Sequence, residues 1–370
     1  PHGGTSKTEI KKAYISDCEG PISKNDNAFE LTAHFVPEGA HFFAVISRYD
    51  DVLADVLKRP GYKAGDTLKL ILPFLKAYGV TDRKMRVFSA KTLVLMPKVK
   101  ETLEFVMKES VDTFIVSTSY EHYIRTLCRA IEFPFENTYC TKVEINKYKL
   151  NEKERVRLKL LAAEIAKMPI IEIPPNAKTL EDFPEEYRRV VQRLDEIFWE
   201  EIANMSIGRI FSEVNPVGGR EKAEAVRHII EQLGLDLSDV VYVGDSITDV
   251  EAFRLVRRGG GLTISFNGNE YAVREAEIAV MADKALVNAV LFAIFCKQGR
   301  EGVLRLAESW NASEIKRLGI NPKLKAAFLE SHSGKMPMVK VVKKENMDRL
   351  IMESTAFRKS VRGEAIGRLG

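Results

Sequence analysis

The stretch AYISDCEGP, residues 13–21, combines a short apolar run with two carboxylates in the loop that follows it. The run AYIS (13–16) predicts a strand, and its end would place Asp17 at the mouth of an α/β sheet. Glu19 follows two residues later, before a Gly-Pro pair that is typical of a tight loop. Two carboxylates at this spacing suggest a nucleophile and an acid/base group, so this loop is the candidate active site.

The composition is that of a soluble globular protein, with 45% apolar and 29% charged residues in a chain of 370. The longest apolar run, 285–296, is too short to span a bilayer and predicts a buried helix. Residues 1–12 lack the apolar core of an export signal, so we expect a cytoplasmic protein without membrane contact. Four cysteines without a C-x-x-C pair fit a reducing compartment, and Cys18 is expected to pack on the opposite face from Asp17.

Six short β-like runs are bounded by turn or helix signals: AYIS (13–16), TFIV (113–116), NTYC (137–140), VVYVG (240–244), GLTIS (261–265) and EIAVM (277–281). Helical patterns lie between several of them, for example over 220–234, where apolar residues recur at i, i+3, i+4 and i+7. Strands that alternate with helices predict a doubly wound, largely parallel sheet of the α/β class.

The spacing of the polar residues after these strands is too wide for a plain doubly wound domain. Asp17 and Ser117 are 100 residues apart, and Ser117 and Lys222 are 105 apart, whereas a strand–helix–strand unit needs roughly 30 residues. Each gap has room for an inserted subdomain. We expect insertions over 24–94 and 142–214, both largely helical.

The remaining segments divide between a core and an extension. The predicted core comprises residues 10–23, 95–141 and 215–296. Residues 297–370 are predicted to form a helical C-terminal extension with a break at 333–337. We expect its last dozen residues to be loosely packed.

Four polar features follow the predicted strands in order. Asp17 follows the first strand, Ser117 the second, Lys222 opens a helix, and Asp245 and Asp249 follow a later strand in VVYVGDSITDVEAF. Ligands of open parallel sheets bind outside the carboxyl ends of the strands. These side chains should therefore converge on one site.

The segments DCEGP (17–21), VSTS (116–119), GREKAEAV (219–226) and VGDSITDVEAF (243–253) resemble the four motifs of the haloacid dehalogenase (HAD) superfamily. The fourth is closest to the phosphoserine-phosphatase-like branch. DCEGP further resembles a group of archaeal HAD-like proteins, some of them labelled as an energy-converting hydrogenase subunit. The insertions fall at the positions of the family's C1 and C2 caps.

The resemblance implies a Mg²⁺-dependent phosphatase and assigns roles to the residues. Asp17 would attack phosphorus and form an aspartyl-phosphate, with Lys222 as a catalytic and phosphate-binding cation. Asp17, Asp245 and the backbone carbonyl of Glu19 would hold the metal, with Asp249 orienting a metal-bound water or Lys222. The implied phosphate-binding residues are Ser117, Thr118, Lys222 and Gly20. The chemistry agrees, because a phosphomonoester dianion repels a carboxylate unless positive charge offsets it.

Glu19 departs from the family pattern, which has Asp at this position as the acid/base. Glu keeps the acid/base function but moves it outward by one methylene, and a shift of about 1 Å can change a rate by roughly 10². An active phosphohydrolase is the preferred interpretation. A binding or regulatory subunit that keeps metal and phosphate recognition without turnover is the alternative, and a different HAD chemistry is the third.

The C-terminal extension is basic, with 16 Lys and Arg against 8 Asp and Glu in residues 297–370. Its charges are dispersed without interleaved aromatic residues, which favours a solvated helical face over a nucleic-acid surface. A protein partner could dock there. The expected substrate is a small phosphorylated metabolite, with Arg48, Arg59 and Lys63 of the first insertion as candidates for recognising it.

Overall fold

The computed structural model describes residues 11–370, and the first ten residues lie outside the described part. The cytoplasmic prediction rests on segment 1–12, and most of that segment lies outside the described part. The first residue of the predicted core lies outside it as well. Within 11–370, no helix combines the length and the apolar character needed to cross a membrane.

The core is a seven-stranded sheet in the order β3-β2-β1-β4-β5-β6-β7. Its strands are β1 (Ala13–Ser16), β2 (Asp112–Tyr120), β3 (Thr138–Thr141), β4 (Val240–Gly244), β5 (Leu262–Phe266), β6 (Ile278–Met281) and β7 (Met338–Val341). All neighbours from β3 to β6 are parallel, and β7 is antiparallel to β6. The predicted α/β class with a largely parallel, doubly wound sheet is confirmed.

The six predicted strands are present, but two details of the strand prediction were wrong. β2 continues to Tyr120, so Ser117 lies within the strand instead of after it, and the pairing register with β3 shifts between Val116 and Tyr120. β7 lies in the region where only helices were expected. It is a four-residue edge strand, too short for its side-chain alternation to be read from sequence.

The helices follow in chain order. Those of the first insertion are α1 (Asn27–Phe35), α2 (Gly39–Asp51), α3 (Thr67–Leu70), α4 (Leu72–Ala77) and α5 (Asp82–Thr92). The core continues with α6 (Val99–Glu109) and α7 (Glu121–Ile131). The second insertion contributes α8 (Glu152–Ile165), α9 (Glu185–Asp195) and α10 (Ile210–Glu213). The rest are α11 (Gly219–Leu233), α12 (Val250–Arg258), α13 (Glu270–Glu275), α14 (Leu286–Glu308), α15 (Ala312–Lys316), α16 (Pro322–Ser331), α17 (Met347–Arg362) and α18 (Glu364–Gly367).

The alternation of side chains along β1 divides the core into two layers. Tyr14 packs with the cluster that contains α6, α7 and α14, whereas Ala13 and Ile15 pack with α11 and α12. Cys18 is fully buried in the first cluster, as expected of the face opposite to Asp17. Asp17 is therefore directed to the side of the sheet from which α11 delivers Lys222.

The two insertions share one hydrophobic core. Phe42 of the first insertion and Leu194 and Phe198 of the second belong to the same buried cluster. Polar contacts add to it, because Arg59 donates to both carboxylate oxygens of Asp195 at 2.7 and 3.0 Å. The two insertions thus pack together as one helical unit, which we call the cap after the family resemblance, and their division into subdomains remains a prediction. Their predicted limits, 24–94 and 142–214, remain predictions.

The C-terminal extension packs tightly against the rest of the molecule. α17 lies against α13 and β6, and the side chains of Arg358 and Arg362 are buried. Leu369 is 9% exposed and belongs to the cluster of the cap. The expectation of loose last residues was wrong, since these residues bridge the core and the cap.

Candidate active site

The carboxyl ends of β1, β2 and β4 meet at a cavity of about 100 Å³. Its floor is formed by polar residues of the core: Asp17, Glu19, Ser117, Thr118, Ser119, Lys222, Asp245, Ser246 and Thr248. Its roof comes from the first insertion, including Phe43, Asp50 and Asp51, and no described lining residue comes from the second. The cavity is small beside the roughly 300–1,000 Å³ that is usual for sites of drug-sized ligands.

Asp17 is fixed at the end of β1 by contacts to both its backbone and its carboxylate. Its backbone N–H donates to the Val243 carbonyl at 2.8 Å, which continues the pairing with β4. Its Oδ1 accepts from the Cys18 N–H at 2.6 Å, and its Oδ2 accepts from Lys222 Nζ at 2.9 Å. Burial, and then the charge of Asp249, raise the pKa of Asp17 well above its ordinary value, whereas the ammonium of Lys222 lowers it and favours the carboxylate form.

Lys222 stands in the first turn of α11 and is only 1% exposed. Its Nζ donates to Asp17 Oδ2, to Thr248 Oγ1 at 2.9 Å and to Asp249 Oδ1 at 3.1 Å. Burial disfavours the ammonium, but Asp17 and Asp249 outweigh that effect, so the pKa of Lys222 is raised and the side chain is charged. A buried lysine is therefore held as a cation beside the candidate nucleophile.

Asp249 orients Lys222, as the sequence suggested for one of its roles. Its Oδ1 also accepts from the Tyr242 hydroxyl at 2.6 Å, and its Oδ2 accepts from the N–H groups of Asp245 at 2.8 Å and Ser246 at 3.2 Å. Burial would raise the pKa of Asp249, but Lys222 and these hydrogen bonds lower it. Asp249 is thus an ionised carboxylate with both oxygens engaged.

Two carboxylates that line the cavity, Asp17 and Asp245, and the buried Asp249 beside them place oxygens close together, as the site of a hard divalent cation requires. Asp17, Asp245 and Asp249 each offer an oxygen within 4.8 Å of the others. Asp245 Oδ1 is buried and has no hydrogen-bond partner among the described residues. Carboxylate oxygens are the ligands that Mg²⁺ prefers, and an orphaned buried oxygen calls for a partner. The donor set therefore fits the metal that the family resemblance implies.

The Glu19 carboxyl group does not belong to that group of ligands. Its Oε2 accepts from the Asn27 N–H at the start of α1, and its Oε1 accepts from the Ser119 hydroxyl on β2. Burial, and then the charge of Asp26, raise the pKa of Glu19 to about 8. Its side chain thus connects the core to the first insertion, and this pKa favours its protonated form at neutral pH. The backbone carbonyl of Glu19 remains the metal ligand that the resemblance implies.

The predicted phosphate-binding residues differ in whether they have a free donor. Ser117 lines the cavity, and its Oγ accepts from the Ser119 N–H at 3.1 Å, so its hydroxyl hydrogen can be donated. The Thr118 hydroxyl donates to the Val217 carbonyl at 2.7 Å, and the Gly20 N–H donates to the Ser23 carbonyl at 2.8 Å. The structure therefore does not support phosphate binding by Thr118 or Gly20.

Gly20 has a steric function instead. Its φ is +111°, and a Cβ added there would lie 2.4 Å from Asp245 Oδ2. Only glycine allows the loop to take this conformation and to approach Asp245 so closely.

The three basic residues proposed to recognise the substrate are engaged elsewhere. Lys63 pairs with Glu221 and Asn215, and Arg59 pairs with Asp195. Arg48 donates to the Ile171 carbonyl at 3.1 Å and lies 3.7 Å from Asp51. Arg48 and Arg59 thus join the two insertions, Lys63 joins the first insertion to α11, and none of the three lines the cavity.

The sequence prediction missed two arginines of α17 that line the cavity. Arg358 Nη1 donates to Asp245 Oδ2 at 2.6 Å, and Arg362 Nη1 donates to the same atom at 3.1 Å. They lie 113 and 117 residues after Asp245 in the chain, so no local motif connects them. The only signal in the sequence is the basic excess of the extension, whose dispersed charges favour a solvated face.

Comparison with known proteins identifies the family. The model of the haloacid dehalogenase-like hydrolases matches residues 81–281, which is more than half of the chain. The chain belongs to this family. The matched range includes Ser117, Lys222, Asp245 and Asp249 of this HAD-like hydrolase, whereas Asp17 and Glu19 precede it.

Solved structures support the same fold. Gene product AF1437 from Archaeoglobus fulgidus is 27% identical to this HAD-like hydrolase and superposes with a TM-score of 0.78. The match covers 97% of this chain and 99% of the chain of AF1437. A substrate-bound phosphoserine phosphatase is 13% identical with a TM-score of 0.43 over 76% of this chain and 97% of its own, a likeness too distant to carry an argument.

A short relative is similar to one part of the chain. An uncharacterized protein encoded in the pdhA 5′ region of Geobacillus stearothermophilus is 38% identical over 68 residues, which is 18% of this chain and 67% of the relative. None of these comparisons bears on the hydrogenase label.

Proposed function

We propose that this HAD-like hydrolase is a Mg²⁺-dependent phosphatase of a small phosphomonoester that works through an aspartyl-phosphate on Asp17. The observation that carries the proposal is the contact between Asp17 Oδ2 and a charged, buried Lys222 at 2.9 Å, beside the orphaned Oδ1 of Asp245. A carboxylate, a cation and a carboxylate oxygen without a partner among the described residues thus lie at one small cavity.

Each of these residues has a role in the first half-reaction. A carboxylate oxygen of Asp17 attacks phosphorus, and the bond from phosphorus to the ester oxygen breaks. Lys222 offsets the charge of the phosphoryl oxygens, and the Ser117 hydroxyl donates a hydrogen bond to one of them. Glu19 gives its proton to the departing oxygen. When bound by Asp17, Asp245 and the Glu19 carbonyl, Mg²⁺ would supply further positive charge at the phosphoryl group.

The second half-reaction restores the enzyme. The Glu19 carboxylate, having lost its proton, accepts one from a water molecule as that water attacks phosphorus. The bond between phosphorus and the Asp17 oxygen breaks, which releases inorganic phosphate and returns Asp17 to its carboxylate form. The raised pKa of Glu19 suits the alternation between acid and base near neutral pH.

The size and the walls of the cavity indicate the substrate class. A volume of about 100 Å³ under the first insertion accommodates a phosphoryl group with a small leaving group. A site of this size under a roof favours a small molecule over a phosphorylated protein or a nucleic-acid end. We therefore propose a small phosphorylated metabolite as the substrate.

Phosphate release from a panel of small phosphomonoesters tests the proposal. We expect turnover by the full chain with Mg²⁺, loss of turnover on chelation, and no turnover by Asp17→Asn at any substrate concentration. An exposed variant such as Glu104→Gln should keep the full rate. Metal binding without turnover of any member would favour the binding or regulatory subunit instead.

A further inference from the structure

Two arginines from the end of the chain bind the same oxygen of one candidate metal ligand. Arg358 and Arg362 approach Asp245 Oδ2 to 2.6 and 3.1 Å, and their side chains are 4% and 3% exposed. Asp245 itself is 1% exposed. Charge-assisted hydrogen bonds of this length in a buried site are among the strongest that proteins make.

Both arginines belong to one polar stripe on α17. Ser354, Arg358 and Arg362 are spaced by four residues, so they lie on one face of the helix. All three are buried, and the Ser354 hydroxyl donates to the Gly268 carbonyl at 2.6 Å. The face of α17 that meets the site is therefore polar and specifically bonded along three turns.

Further contacts of the two arginines reach backbone carbonyls around the site. The same Nη1 of Arg358 lies 3.2 Å from the Asp245 carbonyl and 3.3 Å from that of Asn267, whereas its buried Nε has no partner among the described residues. Arg362 donates to the carbonyls of Lys24 at 3.1 Å and Asn25 at 2.5 Å, where the chain leaves the first loop for α1. These bonds fix the guanidinium groups in place and leave little freedom for Asp245 to rotate.

The two carboxylate oxygens of Asp245 differ in their hydrogen-bond partners. Oδ2 receives both guanidinium groups and is covered by Gly20, whereas buried Oδ1 has no partner among the described residues. Lys222 reaches Asp17 and Asp249, so the arginines are the cations that offset the charge of Asp245. A carboxylate anchored through one oxygen presents the other in a fixed direction.

We propose that Arg358 and Arg362 are positioning residues of the metal site, which hold Asp245 by Oδ2 so that Oδ1 is presented to a divalent cation. This inference rests on the proposed function, because it takes Asp245 as a metal ligand. It makes α17 a part of the active site and not an accessory extension. Partners that orient a metal ligand in this way typically contribute about 10- to 100-fold to metal affinity.

Titration of the full chain with Mg²⁺, followed by calorimetry, tests the inference on wild type, Arg358→Gln, Arg362→Gln and Asp245→Asn. We expect Asp245→Asn to lose binding and each arginine variant to bind about 10- to 100-fold more weakly. Arg349→Gln is the matched control, since Arg349 lies on α17 with a side chain that is 64% exposed and should bind as wild type does. Arg358→Lys, which keeps the charge, should recover part of the affinity.

Thermal unfolding with and without Mg²⁺ separates positioning from folding. A variant that folds should unfold cooperatively without metal and gain less in Tm from Mg²⁺ than wild type gains. If either glutamine variant does not fold, the same comparison is made with the lysine variant at that position.

The possible failures are distinguishable. If wild type binds no Mg²⁺, the proposed function fails along with this inference. If wild type binds it and Asp245→Asn does not, but the arginine variants bind with unchanged or greater affinity, the positioning role is overturned. Greater affinity would mean that the guanidinium groups compete with the cation for Asp245.

Discussion

At the level of single residues, Glu19 shows how a longer side chain serves at a position where the resemblance leads one to expect Asp. Its extra methylene lets the carboxyl group reach both the Asn27 N–H and the Ser119 hydroxyl. These contacts hold it against the first insertion and away from the three carboxylates of the metal group. The proposed acid/base group and the start of the first insertion are thereby linked.

Replacement of Glu19 should therefore reduce turnover in two distinct ways. Glu19→Gln keeps the shape but cannot exchange a proton, so we expect kcat to fall by about 10²–10⁴. Glu19→Asp keeps the proton but cannot span from Asn27 to Ser119, so kcat should fall by roughly 10² through misplacement. Steady-state phosphate release measures both changes. A Glu19→Asp enzyme faster than wild type would contradict this assignment.

Asp50, in the roof of the cavity, gives a prediction about stability and pH. Burial raises its pKa to about 7, although the Tyr62 hydroxyl and the Gly65 N–H donate to it. Between the ordinary pKa of an Asp side chain and pH 7, the folded state therefore keeps a proton on Asp50 that the unfolded state has released. This contribution to stability is complete at low pH and is lost as the pH rises through about 7.

Asp50→Asn removes that titration. Relative to wild type, the free energy of unfolding of the variant should increase between pH 5 and pH 8, by about 1 kcal/mol or more. Urea unfolding at several pH values measures it. A difference that is constant with pH would show that Asp50 does not titrate in this range.

The sequence predicted those residues whose positions follow from strand geometry. Asp17, Ser117 and Asp245 converge because parallel strands end at one edge, and Cys18 faces away from Asp17 because side chains alternate. The arginines Arg358 and Arg362 could not be found in this way. A count of charges does not reveal which face of a helix is buried. The contact between α17 and Asp245 depends on the tertiary structure, which no local motif encodes.

At the level of elements, a single buried ion pair connects the first insertion to the helix that carries Lys222. Lys63, in the GYKAGD turn, pairs with Glu221 in the first turn of α11, with side chains that are 5% and 10% exposed. Such a pair contributes little over an apolar replacement, but the loss of one partner leaves a buried charge. The contact thus sets the position of the turn relative to α11.

Lys63→Met should therefore destabilise the protein by about 3–5 kcal/mol, because the buried Glu221 then keeps only the exposed Arg220, 3.5 Å away, as a cation. The double variant Lys63→Met with Glu221→Gln should recover part of that loss. Denaturant unfolding of the two variants measures the difference. Equal stability of the single and double variants would show that the unpaired charge is not the cause.

At the level of the whole molecule, the two insertions act as one cap, although only the first reaches the cavity. Their helices share a buried cluster in which Leu194 of the second insertion is fully buried. Sequence spacing located both insertions but could not show that they pack together, since the contacts join residues more than 100 positions apart, such as Arg59 and Asp195. The second insertion packs against the first insertion, which forms the roof of the site.

A cavity in this shared core should loosen both insertions together. Leu194→Ala is expected to cost about 2–5 kcal/mol of stability and to speed amide hydrogen exchange in α1 and α2 as well as in α8 and α9. Val156→Ala, at a half-exposed position of α8, is the control with little expected effect. Faster exchange confined to α8 and α9 would indicate two independent caps.

The central claim is that Asp17 carries the phosphoryl group during turnover. Rapid acid quench of the enzyme during turnover of a panel substrate, followed by peptide mass spectrometry, tests this most directly. We predict a phosphorylated peptide that contains Asp17, sensitive to hydroxylamine as an acyl phosphate is, and absent from Asp17→Asn. Substrate turnover without a label on this peptide, or continued turnover by Asp17→Asn, would contradict the account.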